Sequence, residues 1–425
     1  MIQVYGCQQV LLHPDGDLKA ILEYVCTEAN KLHNCATYYA RQIWFKTWRY
    51  ARKFDINNEL KPNRHFKAMH SQAAQQTCQA VGEAFSSFRE LNQAYRNGEL
   101  TYKPKPPKYR RSGGLHTVSY PKQALKLKNG QIRVPLGRQV KVWFGLDAFY
   151  LPMPSNLRFE DISELRILPR NRCFYAEFVY KQPVEAADVD PSRVLGIDPG
   201  LANWLTCVSN VETSFIVDGR HVKSLNRWYN KKVADLKENR PQGFWSNRLA
   251  DLTEKRNRQM RDAVNKAARI VVNHCLTHRI GRVAFGWNDG NKTGINLGHK
   301  TNQSFVQVPT ARLKERIKQL CERYGIEFVE TEESYTSQAS FLDSDTIPIY
   351  GEKPEDWMPS GKRIKRGLYR TANGLLINAD CNGAANILRK VAITLGLNLE
   401  RIGRGVLTRP QRIKLWSAKQ CQVAA

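Results

Sequence analysis

The sequence predicts a mixed fold: an all-β barrel that carries a helical insertion, followed by an α/β domain. Apolar residues at helical spacing dominate residues 17–100, and short β-type runs separated by turns fill residues 101–185. Strand and helix patterns then alternate over residues 192–395, as in a layered α/β domain. A chain of 425 residues is long enough for two or three domains, each with its own core.

The barrel is predicted from short strands in two separate stretches of chain. Residues 1–16 hold one strand, which we expect to join the strands of residues 101–185 and thereby make residues 17–100 an insertion. Three helices are predicted in the insertion. The first starts near Asp17, the second covers residues 34–53 and the third covers residues 70–95. The clearest predicted strands of the barrel are 131–134, 140–144, 164–168 and 173–180.

The charge of the chain points to a polyanionic partner. The 66 Lys and Arg residues outnumber the 39 Asp and Glu residues, so the formal net charge is +27. Solubility alone does not need such an excess, and nucleic acid is the expected partner, although a merely basic surface stays open as an alternative. No apolar stretch approaches the roughly 20 residues of a membrane span, and the first residues lack the basic region and the long apolar core of a secretory signal. We therefore expect a cytoplasmic protein.

Basic residues in the first two parts are candidates for contacts with nucleic acid. The segment 103–114 combines Lys, Arg and Pro without an acid, so it can follow a phosphate backbone in an extended conformation. The aromatic residues of helix 34–53 belong either to a helical core or, with their basic neighbours, to a nucleic-acid channel. The predicted contacts are Arg41, Arg49, Arg52, Lys103, Lys105, Lys108, Arg110 and Arg111.

Two carboxylates stand at the ends of elements in the predicted α/β domain. Asp198 follows an apolar strand and precedes Pro-Gly, and Asp380 begins an apolar helix. Acids at the carboxyl edge of a sheet and at a helix start can converge on divalent ions, which prefer hard oxygen ligands. Phosphodiester cleavage by two metals needs such carboxylates. Each acid alone is also explained as a turn former or a helix-capping residue.

These motifs resemble a known family. Residues 196–200 (Gly-Ile-Asp-Pro-Gly) and 378–387 look like the first and third RuvC motifs of the TnpB (OrfB) proteins of insertion sequences, which are related to compact type V CRISPR nucleases. Segments 296–298, 305–309, 331–343 and 361–369 resemble one branch of that family. The resemblance implies an RNA-guided DNA endonuclease with an RNase H-like (RuvC) domain, a guide RNA held by the first two parts, and target double-stranded DNA read by base pairing.

The chain departs from the family pattern in two places. Typical members have a Glu-Asp pair where Gly286-Trp287-Asn288 stands here. They also have two Cys-x-x-Cys pairs before the last motif, whereas residues 337–376 contain no Cys, so we expect no zinc. The chain is therefore predicted to belong to a branch with a displaced second acid and no zinc ribbon. Either the enzyme is inactive and acts only in DNA binding, or another acid has taken over.

The strand after the missing acid offers a replacement. It ends in Glu330, Glu332 and Glu333, and alternation places the first two on one face and the last on the other. We expect Glu332 to be the third ligand of Mg2+ (or Mn2+), beside Asp198 and Asp380, because it lies just past the strand body. Glu333 is the next candidate for the catalytic set. The other acids considered are Asp289, Asp343 and Asp345.

The remaining predictions concern the end of the chain and its surroundings. The basic loop 337–376 is expected to grip DNA, and residues 396–425 are expected to form a tail that is mobile. From the resemblance, the protein is expected to be prokaryotic and associated with the nucleoid when bound to DNA. The predicted DNA contacts of the loop are Lys362, Arg363, Lys365 and Arg366.

Overall fold

The computed structural model describes residues 3–288 and 308–416. The family-like segments 296–298 and 305–307, and Asp289, lie outside the described residues. The chain divides into two compact units, the first from Gln3 to Gln182 and the second from Pro183 onward. In the described ranges, no helix is long and apolar enough to cross a membrane.

The first unit contains the predicted helical insertion. One helix of 32 residues spans the region where the sequence predicts two, because no Gly or Pro interrupts the chain after its first residue, Gly16, until the C-cap at Trp48. The side chain of Asp15 accepts a hydrogen bond from the Leu18 amide at 2.8 Å, which fixes the helix start. The helices are α1 (Gly16–Thr47), α2 (Lys53–Leu60), α3 (Arg64–Lys67), α4 (Ser71–Arg96) and α5 (Arg138–Phe144).

The β-strands of the first unit form two sheets, so the single barrel predicted from the sequence is not confirmed. The four-stranded sheet has the order β1-β7-β6-β2, and the N-terminal strand does join it as expected. The three-stranded sheet has the order β3-β4-β5. The strands are β1 (Gln3–Leu11), β2 (Val118–Pro121), β3 (Lys126–Lys128), β4 (Gln131–Pro135), β5 (Ala148–Pro152), β6 (Ile162–Arg170) and β7 (Cys173–Pro183).

The strand predicted over 140–144 is wrong, because this segment lies in helix α5. Gly137 precedes the helix and Gly145, with a φ of 69°, ends it in the left-handed conformation. Only Val140 is buried, whereas Val142, Trp143 and Phe144 are exposed, which fits one face of a short helix better than a half-buried strand.

The second unit has an α/β core around a six-stranded sheet of order β12-β11-β8-β9-β10-β16. Strands β8, β11 and β12 run parallel to one another, and β8, β9 and β10 form an antiparallel meander. The strands are β8 (Asp190–Pro199), β9 (Asn203–Ser209), β10 (Ser214–Asp218), β11 (Ile280–Gly286), β12 (Glu327–Thr331) and β16 (Gln411–Lys414). The helices are α6 (Arg220–Lys237), α7 (Asn247–Thr277), α8 (Thr310–Tyr324), α9 (Ala379–Leu395) and α10 (Arg404–Thr408).

Helices cover both faces of this sheet. Leu195 and Ile197 pack on one face into a core shared with α7 and α8, and Val194 packs on the other face with α9. Because side chains alternate along a strand, Asp198 lies on the α9 side of the sheet. Strand β8 therefore places Asp198 on the side of the sheet that packs against α9, the helix that carries Asp380.

The segment predicted as a basic loop contains a small sheet, and the predicted tail is partly ordered. The sheet has the order β13-β14-β15, with β13 (Lys362–Lys365), β14 (Leu368–Arg370) and β15 (Leu376–Asn378). The prediction of a mobile tail is wrong for residues 396–416, because α10 packs Leu407 into the core and β16 pairs with β10.

Candidate functional site

Three carboxylates line one cavity at the carboxyl edge of the second unit's sheet. Asp198 ends β8, Glu333 follows β12 by two residues, and Asp380 lies in the first turn of α9. All three line one cavity of about 720 Å3. We call this space the acid cavity.

Asp198 lies deepest among these acids. Its Oδ2 would stand only 2.9 Å from a Cβ built on Gly383, so any side chain at position 383 would displace the carboxylate. Burial raises the pKa of Asp198 well above its ordinary value, and the charges of Glu333 and Asp380 raise it further, against an opposing effect of Arg363. The surroundings therefore disfavour the ionised form of Asp198, which a cation bound beside it would stabilise.

Asp380 is held by hydrogen bonds on both of its oxygens. The Asn378 side chain caps α9 by accepting from the amides of Asp380 and Cys381 at 3.0 and 3.1 Å. Asn203 Nδ2 donates to Asp380 Oδ2 at 2.6 Å, and Arg363 Nη2 donates to Oδ1 at 2.9 Å. The sequence analysis missed Asn203, and its position four residues after Asp198-Pro199 in the hairpin is the signal that could have found it.

The structure favours Glu333 over Glu332 as the third acid. Glu332 pairs with Lys390 and also accepts a hydrogen bond from the Ser334 amide at 2.9 Å. It does not line the acid cavity, whereas Glu333 does and acts electrostatically on Asp198. Glu330 does not line the acid cavity either, and its carboxylate forms an ion pair with Lys314 Nζ at 2.5 Å.

The position of the missing acid is filled by Gly286 and Asn288. A Cβ on Gly286 would lie 2.5 Å from Ile387 Cδ1, so the backbone of β11 packs closely on α9 there. Asn288 also lines the acid cavity, and its Oδ1 accepts a hydrogen bond from the Glu333 amide at 2.9 Å. Asn288 therefore fixes the backbone of Glu333 at this edge of the sheet.

The donor set suits a hard divalent cation by its chemistry, although the side chains are not gathered around one point. Asp198, Glu333 and Asp380 supply only carboxylate oxygens, which Mg2+ and Mn2+ prefer. In residues 3–288 and 308–416, no three His, Cys, Asp or Glu side chains lie close enough to hold one ion. Since Arg363 donates a hydrogen bond to Oδ1 of Asp380, a divalent cation held by Asp380 would have to compete with this guanidinium.

The basic residues predicted in the loop divide into two groups. Arg363 and Arg366 line the acid cavity, while Lys362 and Lys365 are exposed on β13 and do not. Two further arginines, Arg220 and Arg412, line the cavity and were missed by the sequence analysis.

In the first unit the predicted basic contacts also have different surroundings. Arg41 donates to the Pro107 carbonyl at 2.8 Å, and Arg110 donates to Asn30 Oδ1 at 3.1 Å, so both anchor the linker to α1. Arg49 and Arg52 line a cavity beside the exposed ring of Trp48. The other predicted residues are exposed on a linker without regular structure: Lys103, Lys105, Lys108 and Arg111.

A second group of carboxylates, Asp343 and Asp345, joins three parts of the loop. Asp343 Oδ2 accepts hydrogen bonds from Ser340 Oγ at 2.6 Å, Ser360 Oγ at 3.2 Å and the Ala372 amide at 2.8 Å. Asp345 Oδ2 accepts from the amides of Ser340 and Ser360 at 2.7 and 3.1 Å. We call this group the aspartate staple, because it holds together a loop that has no cysteines for zinc.

Comparison with known protein families identifies relatives of two parts of the second unit. A family model described as OrfB_IS605, probable transposase, matches residues 177–290. Another, described as Cas12f1-like, TNB domain, matches residues 311–387. No curated protein matches the chain.

The fold is similar to that of compact CRISPR effectors. The structure of a Cas12f1-sgRNA-target DNA complex has a TM-score of 0.51 and 14% sequence identity, covering 88% of this chain and 83% of that one. The mini-RNA-guided endonuclease CRISPR-Cas_phi3 is more distant, with a TM-score of 0.41 and 9% identity over 96% of this chain and 93% of that one. The Cas12f1 likeness concerns the fold alone. With the two family-model matches, it confirms the resemblance to the TnpB (OrfB) proteins and compact type V effectors.

Proposed function

We propose that this chain is an RNA-guided DNA endonuclease that cleaves phosphodiesters with divalent metal ions held by Asp198, Glu333 and Asp380. The observation that carries the proposal is that these three carboxylates line one cavity that arginines also line. Carboxylates supply the metal ligands and arginines supply contacts to phosphate, so the lining suits a phosphodiester substrate. Glu333 takes the role that we predicted first for Glu332.

The guide and target follow from the relatives and from the charge. The net charge of +27 supports a large nucleic-acid partner, and the similar Cas12f1 structure is a complex with sgRNA and target DNA. We therefore propose guide RNA and double-stranded target DNA as the partners of this chain. When bound, Mg2+ or Mn2+ would activate water and stabilise the leaving oxygen.

Binding without cleavage is the second candidate function. It is favoured by Gly286, which cannot supply an acid, and by the bond from Arg363 to Asp380, which opposes metal binding. In that case the chain would select DNA targets or control transcription.

The test is a plasmid-cleavage assay with the full chain, RNA transcribed from the flanking native locus, and Mg2+. We expect Asp198→Ala and Asp380→Ala to abolish cleavage while RNA-dependent binding to the target persists, because each removes a metal ligand and leaves the guide contacts alone. Asp356→Ala is a matched control, since Asp356 is exposed and lies outside the acid cavity. Cleavage by Asp198→Ala near the wild-type rate would refute the proposed site. A wild type that binds its target and never cuts establishes the second candidate.

A further inference from the structure

Asp218, at the end of β10, holds two arginines at once. Its side chain is only 8% exposed. Arg220 Nε donates to both of its oxygens at 3.1 and 3.0 Å, and Arg220 Nη2 donates to Oδ2 at 2.6 Å. Arg412 Nη1 donates to Oδ2 at 3.2 Å. The two guanidinium groups are therefore oriented by one buried carboxylate.

Arg412 reaches this place through the C-terminal strand. Strand β16 pairs in parallel with β10, with Arg412 beside Ile216 and Lys414 beside Asp218. Ile413 packs against the core on one face of β16, so alternation puts Arg412 and Lys414 on the opposite face.

The charges in this cluster do not balance. One carboxylate faces two guanidinium groups, which leaves one positive charge in excess. Burial alone would raise the pKa of Asp218, but the hydrogen bonds from Arg220 outweigh it and lower the pKa, so the carboxylate is ionised at neutral pH. Within the described part of the chain, Arg220 Nη1 and Arg412 Nη2 have no hydrogen-bond partner. These donors are available to an anion.

The cluster lies on a path that leads into the acid cavity. Arg220 and Arg412 both line that cavity together with Asp198 and Asp380. Arg220 also lines an adjoining cavity with His221, Lys414 and Trp416. A phosphate bound in the acid cavity is therefore within the same lined space as these two arginines.

We propose that Arg220 and Arg412, positioned by Asp218, form a phosphate clamp for the single DNA strand that enters the acid cavity. The proposal rests on the proposed function for the identity of the strand, while the clamp chemistry is that of any phosphodiester. Guanidinium groups bind phosphate through paired N–H donors, and orientation by a buried partner reduces the entropy that binding costs. It follows that the C-terminal strand is part of the nucleic-acid site.

A structural alternative gives opposite results in one respect. If Asp218 only ties β16 to β10, loss of either arginine lowers stability and leaves DNA binding unchanged. If the clamp exists, binding of single-stranded DNA weakens and loses part of its salt dependence, because fewer counterions are released.

The experiment measures the affinity of the full chain for fluorescein-labelled dT20 as a function of salt. All variants carry Asp198→Asn as well, so that the readout does not depend on cleavage. Arg220→Gln and Arg412→Gln are each expected to weaken binding about fivefold and to reduce the salt slope by about 0.7, the value for one single-strand phosphate contact. Arg404→Gln is the matched control, since Arg404 is exposed in α10 and lines neither cavity.

A second variant and a location readout complete the test. Asp218→Asn removes one negative charge, so charge alone predicts tighter binding of DNA. Loss of the positioning of the two arginines predicts weaker binding, and tighter binding would overturn the role of Asp218. Cross-links from 5-iodouracil-substituted dT20 should map to peptide 411–416 and decrease in Arg412→Gln. Unchanged affinity and slope in both arginine variants, or preferential cross-linking to a matched RNA 20-mer, would overturn the DNA clamp. If the wild type never cleaves yet the clamp variants weaken binding, the clamp stands and the nuclease proposal fails.

Discussion

The acid cavity and the aspartate staple are two carboxylate groups in the same unit, and they use their charges differently. In the acid cavity, burial and the charges of Glu333 and Asp380 raise the pKa of Asp198. In the staple, burial alone would raise the pKa of Asp343, but hydrogen bonds from Ser340, Ala372 and Ser360 outweigh it and lower the pKa. A carboxylate that accepts several hydrogen bonds, as Asp343 does, stabilises the fold. A carboxylate buried beside other acids, as Asp198 is, is suited to binding a cation.

Among the substitutions that test this comparison, Glu333→Gln is expected to have the largest effect, a loss of DNA cleavage. Loss of second-sphere groups around metals typically costs about 10–100-fold, so removal of a ligand should lower the cleavage rate by more than about 100-fold. The neighbouring Glu332→Gln serves as the matched control for rate. It should cut at a rate much closer to wild type but unfold more easily, because Lys390, which is 9% exposed, loses its carboxylate partner. Plasmid cleavage and thermal unfolding are measured for both. The reverse pattern would restore Glu332 as the ligand.

Asp343→Ala tests the other side of the comparison. Three hydrogen bonds disappear, which should lower the free energy of unfolding by about 2 kcal/mol after allowance for partial exposure. Because the folded-state pKa of Asp343 is lowered, its stabilisation is present above the ordinary carboxyl pKa and is lost as pH falls through the folded value. Denaturant unfolding at pH 7 and pH 3, with Asp356→Ala as control, measures both effects. An equal loss at both pH values would argue against the ionised staple.

Asp198→Asn should stabilise the protein when no divalent metal is present. The folded-state pKa of Asp198 is raised, so the wild type loses stability as pH rises from the ordinary carboxyl value through the raised one. The variant should therefore melt a few degrees higher at pH 8 in EDTA and show little difference near pH 3, where both states are protonated. Added Mg2+ should raise the Tm of the wild type more than that of the variant. A lower Tm for the variant at pH 8 would show that Asp198 is a structural carboxylate.

Zinc chelation should have the smallest effect of all. The staple holds the loop with oxygen and nitrogen atoms, and residues 337–376 contain no Cys, so a zinc-specific chelator should leave the Tm unchanged. Elemental analysis of the purified chain is the accompanying measurement. Stoichiometric zinc together with a fall in Tm on chelation would contradict the prediction that the aspartate staple stabilises the loop without zinc.

The alternation of strands and helices over residues 192–395 could be predicted from the sequence, because strands and helices there have distinct periods. The apolar strand before Asp198 and the helix that begins near Asp380 agree with the structure. The choice between Glu332 and Glu333 could not be made, since it depends on register. The pairing of Ile197 with Phe285 and of Gly286 with Thr331 places Asp198, Gly286 and Thr331 on the same face of the sheet. Since side chains alternate, Glu333, two residues after Thr331, lies on that face too.

Other errors arose where contacts distant in sequence decide local structure. Residues 140–144 have the β-branched and aromatic composition of a strand, yet they form a helix that two glycines flank. Val140 is the buried residue of that helix. The C-terminal strand is short and basic, and only its pairing with β10 makes it ordered. Asp218, which holds Arg412, gives no sign of this role in the sequence.

The close packing at Gly286 has a consequence for which side chains this position of the chain can accept. A Cβ there would stand 2.5 Å from Ile387 Cδ1, and Ile387 is fully buried. Gly286→Glu alone would thus push against the core before its carboxylate reached the cavity. A glutamate at position 286 would therefore need a smaller side chain at position 387, so the two positions have to be changed together.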